Sequence, residues 1–78
     1  MSPESVYEKS RREKEQADQV TYRILKERVE PKHLVYEISR TFQVGLTKAY
    51  QLKYLLEHPR YPLTEEELKE AIEQRKES

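Results

Sequence analysis

Apolar positions recur at helical spacing between Val35 and Glu57. Val35, Ile38 and Phe42 form one short series; after a break at Val44-Gly45, Leu46, Ala49, Leu52, Leu55 and Leu56 form a second. Two short helices joined by a tight corner have this pattern, which is the spacing of a helix-turn-helix. Phe42 and Val44 are expected to plug the corner, Ala49 to let the helices approach closely, and Leu52 to close the pair against a third element. Gly45, the only glycine, falls in the corner, where its missing side chain is expected to let the backbone reverse.

Upstream, Ser2-Pro3-Glu4-Ser5 has the features of a helix start: a hydroxyl to cap, a proline for the first turn and an acid near the positive end of the dipole. Nothing from Val6 to Val29 breaks a helix. Its first half, Glu8 to Gln16, is charged on every face and reads as a frayed arm, with half of an intermolecular helix pair as the other reading. The second half places Ala17, Val20, Ile24 and Leu25 on one stripe, expected to pack on the central motif. Glu30-Pro31 ends this helix, and the next is expected from Pro31 or Lys32 to Thr41. After the helix at 46–57, the run HPRYP (58–62) predicts a rigid connector. Thr64 followed by Glu65, Glu66 and Glu67 is a capping box that opens a last helix running to about Arg75, with Leu63, Leu68, Ala71 and Ile72 as its apolar positions. The expected fold is all-α: three to four helices around a central helix-turn-helix, with a long N-terminal helix and a short acidic C-terminal one. The divisions are a charged helical arm (1–16), the helix-turn-helix core (17–58), and the connector with the last helix (59–78).

Composition narrows what such a scaffold can do. In 78 residues, 35% apolar and 38% charged, only one small core can form, and a partner copy would add buried surface. Fifteen basic and fifteen acidic residues cancel, so binding to nucleic acid must come from a local patch rather than from net charge. There is no cysteine, which excludes disulfides, thiolate catalysis and cysteine-ligated metals. No apolar run is long enough to cross a bilayer, and Met1-Ser2-Pro3-Glu4 does not open like a secretory signal; the expectation is a cytoplasmic protein without membrane contact.

The segment 46–57 is the place to look for chemistry. At about 100° per residue, Ala49, Leu52 and Leu56 share one side, Thr47, Tyr50, Gln51 and Tyr54 the opposite one, and Lys48 and Lys53 the flanks. A helix entering the major groove needs hydrogen-bonding groups outward and cations at its edges. Gln51 is placed for a bidentate amide contact to adenine, Thr47 for a base edge or thymine methyl, and Tyr50 and Tyr54 for phosphate or sugar. Arg40, Thr41 and Gln43 are candidates for the neighbouring backbone.

The run from Arg40 to Glu57, RTFQVGLTKAYQLKYLLE, resembles the helix-turn-helix of the DNA-reading gamma domain of bacterial septal DNA translocases. The resemblance rests on Arg40, Phe42, Val44, Gly45, Lys48, Ala49 and Leu52, in order and without a gap, and covers under a quarter of the chain. That family is a winged helix recognising short DNA sequences, so the resemblance implies DNA contact through Thr47, Lys48 and Gln51. Two features differ. The second arginine of the family is Thr41 here, and the wing hairpin is replaced by HPRYPLT and an acidic helix.

The same pattern serves a purely structural role in small helical domains that bind proteins, and tyrosines suit protein interfaces as well as phosphate. Tyr22, Tyr36 and Tyr61 are expected to be half-buried packing residues. His33 and His58 have no acid at ligand spacing and read as solvated. Glu65, Glu66 and Glu67 read as a helix start rather than catalytic acids, and no glycine-rich loop exists for phosphate. The expectation is therefore a non-enzyme without cofactor or metal: a helix-turn-helix protein that binds double-stranded DNA as a homodimer and regulates transcription or another DNA transaction. The alternative is an adaptor that docks another protein through Tyr50 and Tyr54.

Overall fold

A computed structural model describes residues 5–77, and the fold is all-helical. In order come α1 (Val6–Arg28), a 3-10 turn (Pro31–His33), α2 (Leu34–Phe42), α3 (Leu46–Glu57) and α4 (Glu65–Glu77). α2 and α3 make the closest pair, α1 packs on both, and α4 packs chiefly against α1.

Each boundary has a local cause. Ser5 caps α1, its hydroxyl accepting the Glu8 amide at 3.1 Å; Ser2, Pro3 and Glu4 of the expected start lie outside the described residues. α1 ends as Val29 and Glu30 turn extended, the conformation that a following proline imposes on Glu30. Pro31 opens the 3-10 turn at its first positions. The capping box at α4 is reciprocal, the Thr64 amide donating to Glu67 Oε1 at 3.0 Å and the Glu67 amide to Thr64 Oγ1 at 3.1 Å.

The core gathers Tyr22 and Leu25 from α1, Leu34 and Ile38 from α2, and Ala49 and Leu56 from α3, with Val29, Val35, Phe42, Val44 and Leu52 packed around them. Ile38 and Ala49 are fully enclosed. Ala49, the small residue expected between α2 and α3, has no exposed surface, and Phe42 and Val44 pack against the core at the corner.

The corner itself differs from expectation. The reversal falls on Gln43 (φ 56°, ψ 52°), not on Gly45, which is extended (φ −69°, ψ 167°) and serves as the N-cap of α3. Ser39 fastens the turn. Its carbonyl accepts the amides of Gln43 and Val44, and its hydroxyl donates to the Val44 carbonyl at 2.5 Å. With these bonds the left-handed residue directly follows α2, the usual place for a helix C-terminal reversal.

α1 also differs from the one-stripe reading. Tyr22, Leu25 and Val29 face α2 and α3, whereas Val20 lines a groove with Leu63 and Ala71, and Ile24 one with Ile72. The expected stripe divides: Val20 and Ile24 turn to the last helix rather than to the central motif, Leu25 meets the central motif as expected, and Ala17 stays exposed. α1 is a central rod with two covered faces.

The connector is held on that rod by side chains. Glu15 accepts the Tyr61 amide (2.7 Å), and buried Gln19 both donates to the Tyr61 carbonyl (2.9 Å) and accepts the Leu63 amide (3.0 Å). Arg23 grips Glu65 with two bonds, at 2.9 and 2.7 Å, which lowers the pKa of Glu65 and raises that of Arg23. Arg75 reaches back to the Thr21 hydroxyl and the Ala17 carbonyl. Of the packing tyrosines, Tyr22 is more deeply buried than expected, Tyr61 is half-buried as expected, and Tyr36 is 59% exposed. Tyr36 misses the core because α2 turns Leu34 and Ile38 inward, and Tyr36 lies between them on the opposite side of the helix.

Candidate nucleic-acid interface

The face of α3 is decided by what its inner side must cover. Ala49 and Leu56 are buried and Leu52 and Lys53 partly so, which leaves the rest of the wheel to solvent. All eight candidates, Arg40, Thr41, Gln43, Thr47, Lys48, Tyr50, Gln51 and Tyr54, are exposed. The corner brings the end of α2 beside the start of α3, so Arg40, Thr41 and Gln43 border the helix that carries the other five.

Two leucines counted with the apolar period belong to this outward surface. Leu46 is 45% and Leu55 52% exposed, beside Tyr50 and Tyr54 at 63% each. Tyr50, Gln51, Tyr54 and Leu55 line one shallow open depression. At helical spacing, Leu46, Tyr50 and Tyr54 make a continuous carbon-rich strip. Leu46 and Leu55 lie at the edges of the inner arc, and the narrow contact between α2 and α3 does not reach them.

The charges around the strip are uneven. Arg40 pairs with Glu37 at 3.7 Å and Lys53 with Glu57 at 3.4 Å, while Lys48, among the described residues, forms no salt bridge. The 31–58 segment carries four basic side chains, Lys32, Arg40, Lys48 and Lys53, against two acidic ones, Glu37 and Glu57. No carboxylate lies between those two acids, so α3 carries none from Leu46 to Leu56.

Glu57, the last residue of α3, is exposed and engaged with its neighbours. It accepts the Tyr22 hydroxyl at 2.9 Å, a bond between α3 and α1. The Tyr22 hydroxyl holds the Glu57 carboxyl below its ordinary range, with Lys53 adding to the effect. Burial, reinforced by Glu57, pushes the Tyr22 hydroxyl well above its own. The clamp fixes the far end of α3, as Ser39 fixes the near end, so the outward face is presented on a helix held at both ends. Neither anchor carries a sequence signal, since both depend on which distant groups meet. His58 packs at a tilt on Tyr54, ring centres 4.5 Å apart, and His33 is exposed; among the described residues no group of three or more histidines and carboxylates gathers as a metal site.

No family model, curated protein or solved structure matches the chain. Among the described residues no helix is long and apolar enough to cross a membrane.

Proposed function

We propose that this chain is a DNA-binding protein without enzymatic activity that lays α3 in the major groove of double-stranded DNA and regulates transcription or another DNA transaction in the cytoplasm. The observation that carries the reading is the run of α3 from Leu46 to Leu56, which has no carboxylate and on which Thr47, Lys48, Tyr50, Gln51 and Tyr54 are exposed together. A phosphate-lined groove repels acids and accepts hydrogen-bonding side chains flanked by cations. Arg40, Thr41 and Gln43 then meet the adjoining backbone. With so few cations one copy binds weakly, and a homodimer on two half-sites would gain by effective concentration.

The test is a titration against duplex DNA at several salt concentrations. Affinity should fall as salt rises, and Lys48→Ala should flatten the logarithmic slope by roughly one unit if Lys48 neutralises one phosphate. Gln51→Ala should weaken a preferred site more than random duplex. Affinity unchanged by both substitutions would reject the assignment.

The strip of Leu46, Tyr50, Tyr54 and Leu55 favours a second reading, an adaptor that docks another protein on the same face. Such an interface would show weak salt dependence and no affinity for duplex DNA.

A further inference from the structure

We propose that the DNA read by α3 is rich in A·T pairs and that thymine methyl groups are among the features it reads. This rests on the DNA-binding reading above and goes beyond it to the chemistry of the bases. In the major groove each base pair presents hydrogen-bonding atoms, but only thymine presents an apolar group, its 5-methyl. The outward face of α3 is built largely of carbon: Leu46, Tyr50, Tyr54 and Leu55 are each 45% to 63% exposed. Thr47 adds a methyl, and Gln51 an amide whose donor and acceptor match adenine N6 and N7.

The groups that would read G·C pairs are scarce. Guanine O6 and N7 call for arginine or lysine, and the cytosine amino group for a carboxylate. α3 has no arginine, and its one carboxylate, Glu57, is engaged by Tyr22 and Lys53. Arg40 belongs to α2 and is paired with Glu37, and Lys53 is paired with Glu57. Lys48 is the one lysine of α3 outside a salt bridge among the described residues and is left for a guanine or a phosphate, while Arg40 meets the adjoining backbone. The charge bias of the 31–58 segment draws a polyanion to this face, and the carbon strip between its cations then selects for methyl groups.

The experiment uses the full chain and a pool of random duplexes from which bound molecules are enriched. The best duplex is then compared with the same duplex carrying deoxyuridine in place of each thymidine, which removes the methyls and leaves every hydrogen bond. Each methyl buried in the contact is worth about fourfold in affinity, so two or three give a loss of roughly 15- to 60-fold. The double substitution Tyr54→Ala with Leu55→Ala removes exposed groups only, and with helicity unchanged it should shrink the difference several-fold. An enriched duplex that binds equally well with either base, or an enriched pool rich in G·C, overturns the proposal and leaves DNA binding standing. Absence of binding to any duplex at low salt overturns both and leaves the face to a protein partner.

Discussion

Gln43 holds the one positive φ among non-glycine residues in the described chain, at 56°. A left-handed residue with a side chain costs about 1 kcal/mol, so Gln43→Gly should raise the unfolding free energy by about 0.5–1 kcal/mol. A higher urea midpoint at unchanged slope would report it. At Gly45 the argument runs the other way. Its φ is −69°, nothing stands within 4 Å of an added Cβ, and it caps α3 without a side chain. Gly45→Ser supplies the missing cap and stiffens the unfolded chain, a gain of about 0.5 kcal/mol. Were the reversal at Gly45 instead, both substitutions would change sign.

Tyr22 and Glu57 give the residue scale a pH dependence. Because the folded state holds the Glu57 carboxyl low, that group stabilises the fold above its unfolded pKa, and the contribution disappears as pH falls through the folded value. Because the folded state holds the Tyr22 hydroxyl high, its contribution is complete below the unfolded pKa of about 10 and is lost as pH rises beyond it. Tyr22→Phe removes the bond itself, at about 1–2 kcal/mol. The gap between the two proteins, measured by urea unfolding across pH, should be widest near neutrality and narrow towards both ends. A gap constant from pH 3 to pH 11 would mean that the hydroxyl and the carboxylate are not coupled.

Among the elements, the periods of α2 and α3 were legible because each is covered on one side only. Ile38, Ala49, Leu52 and Leu56 fall where the wheel puts them. α1 is covered on two sides, and a reading that seeks one stripe joins Val20 and Ile24, which meet α4, to Leu25, which meets the core. Tyr22 and Leu25 form the face that meets the core. Glu15 and Gln19 look like solvated positions in a charged helix, yet they bind the connector amides; no local pattern announces which distant backbone group a side chain will reach. The eight candidate site residues were legible as exposed for the same reason that α3's core face was, whereas Leu46 and Leu55 were hidden by their resemblance to core residues. α4, packed chiefly on α1 and started by its capping box, should behave as the weakest element. Thr64→Ala should cost about 1 kcal/mol and speed amide hydrogen exchange in 65–77 while leaving α2 and α3 protected. Ile38→Ala, at the centre of the core, should cost about 2–5 kcal/mol and speed exchange in all four helices.

At the scale of the whole molecule the charges are separated although they sum to zero. The 31–58 segment holds two more basic than acidic groups, so the remainder holds two more acidic than basic ones, with Glu65, Glu66, Glu67, Glu70 and Glu73 concentrated on α4. The principal extents are 45 × 31 × 20 Å. At about 10 mM salt the screening length is roughly 30 Å, so α4 acts at long range on a polyanion approaching α3. At physiological salt, with a screening length of about 8 Å, it scarcely does. Glu70 and Glu73 are exposed and lie beyond the capping turn. Replacing both with lysine should leave stability within about 0.5 kcal/mol. The same double substitution should raise the association rate with duplex DNA several-fold at low salt, and that gain should vanish as salt approaches physiological strength. Stopped-flow association at the two salt concentrations measures it. A gain that persisted at high salt would place α4 in direct contact with the duplex, and no gain at low salt would mean that the approaching partner is not a polyanion.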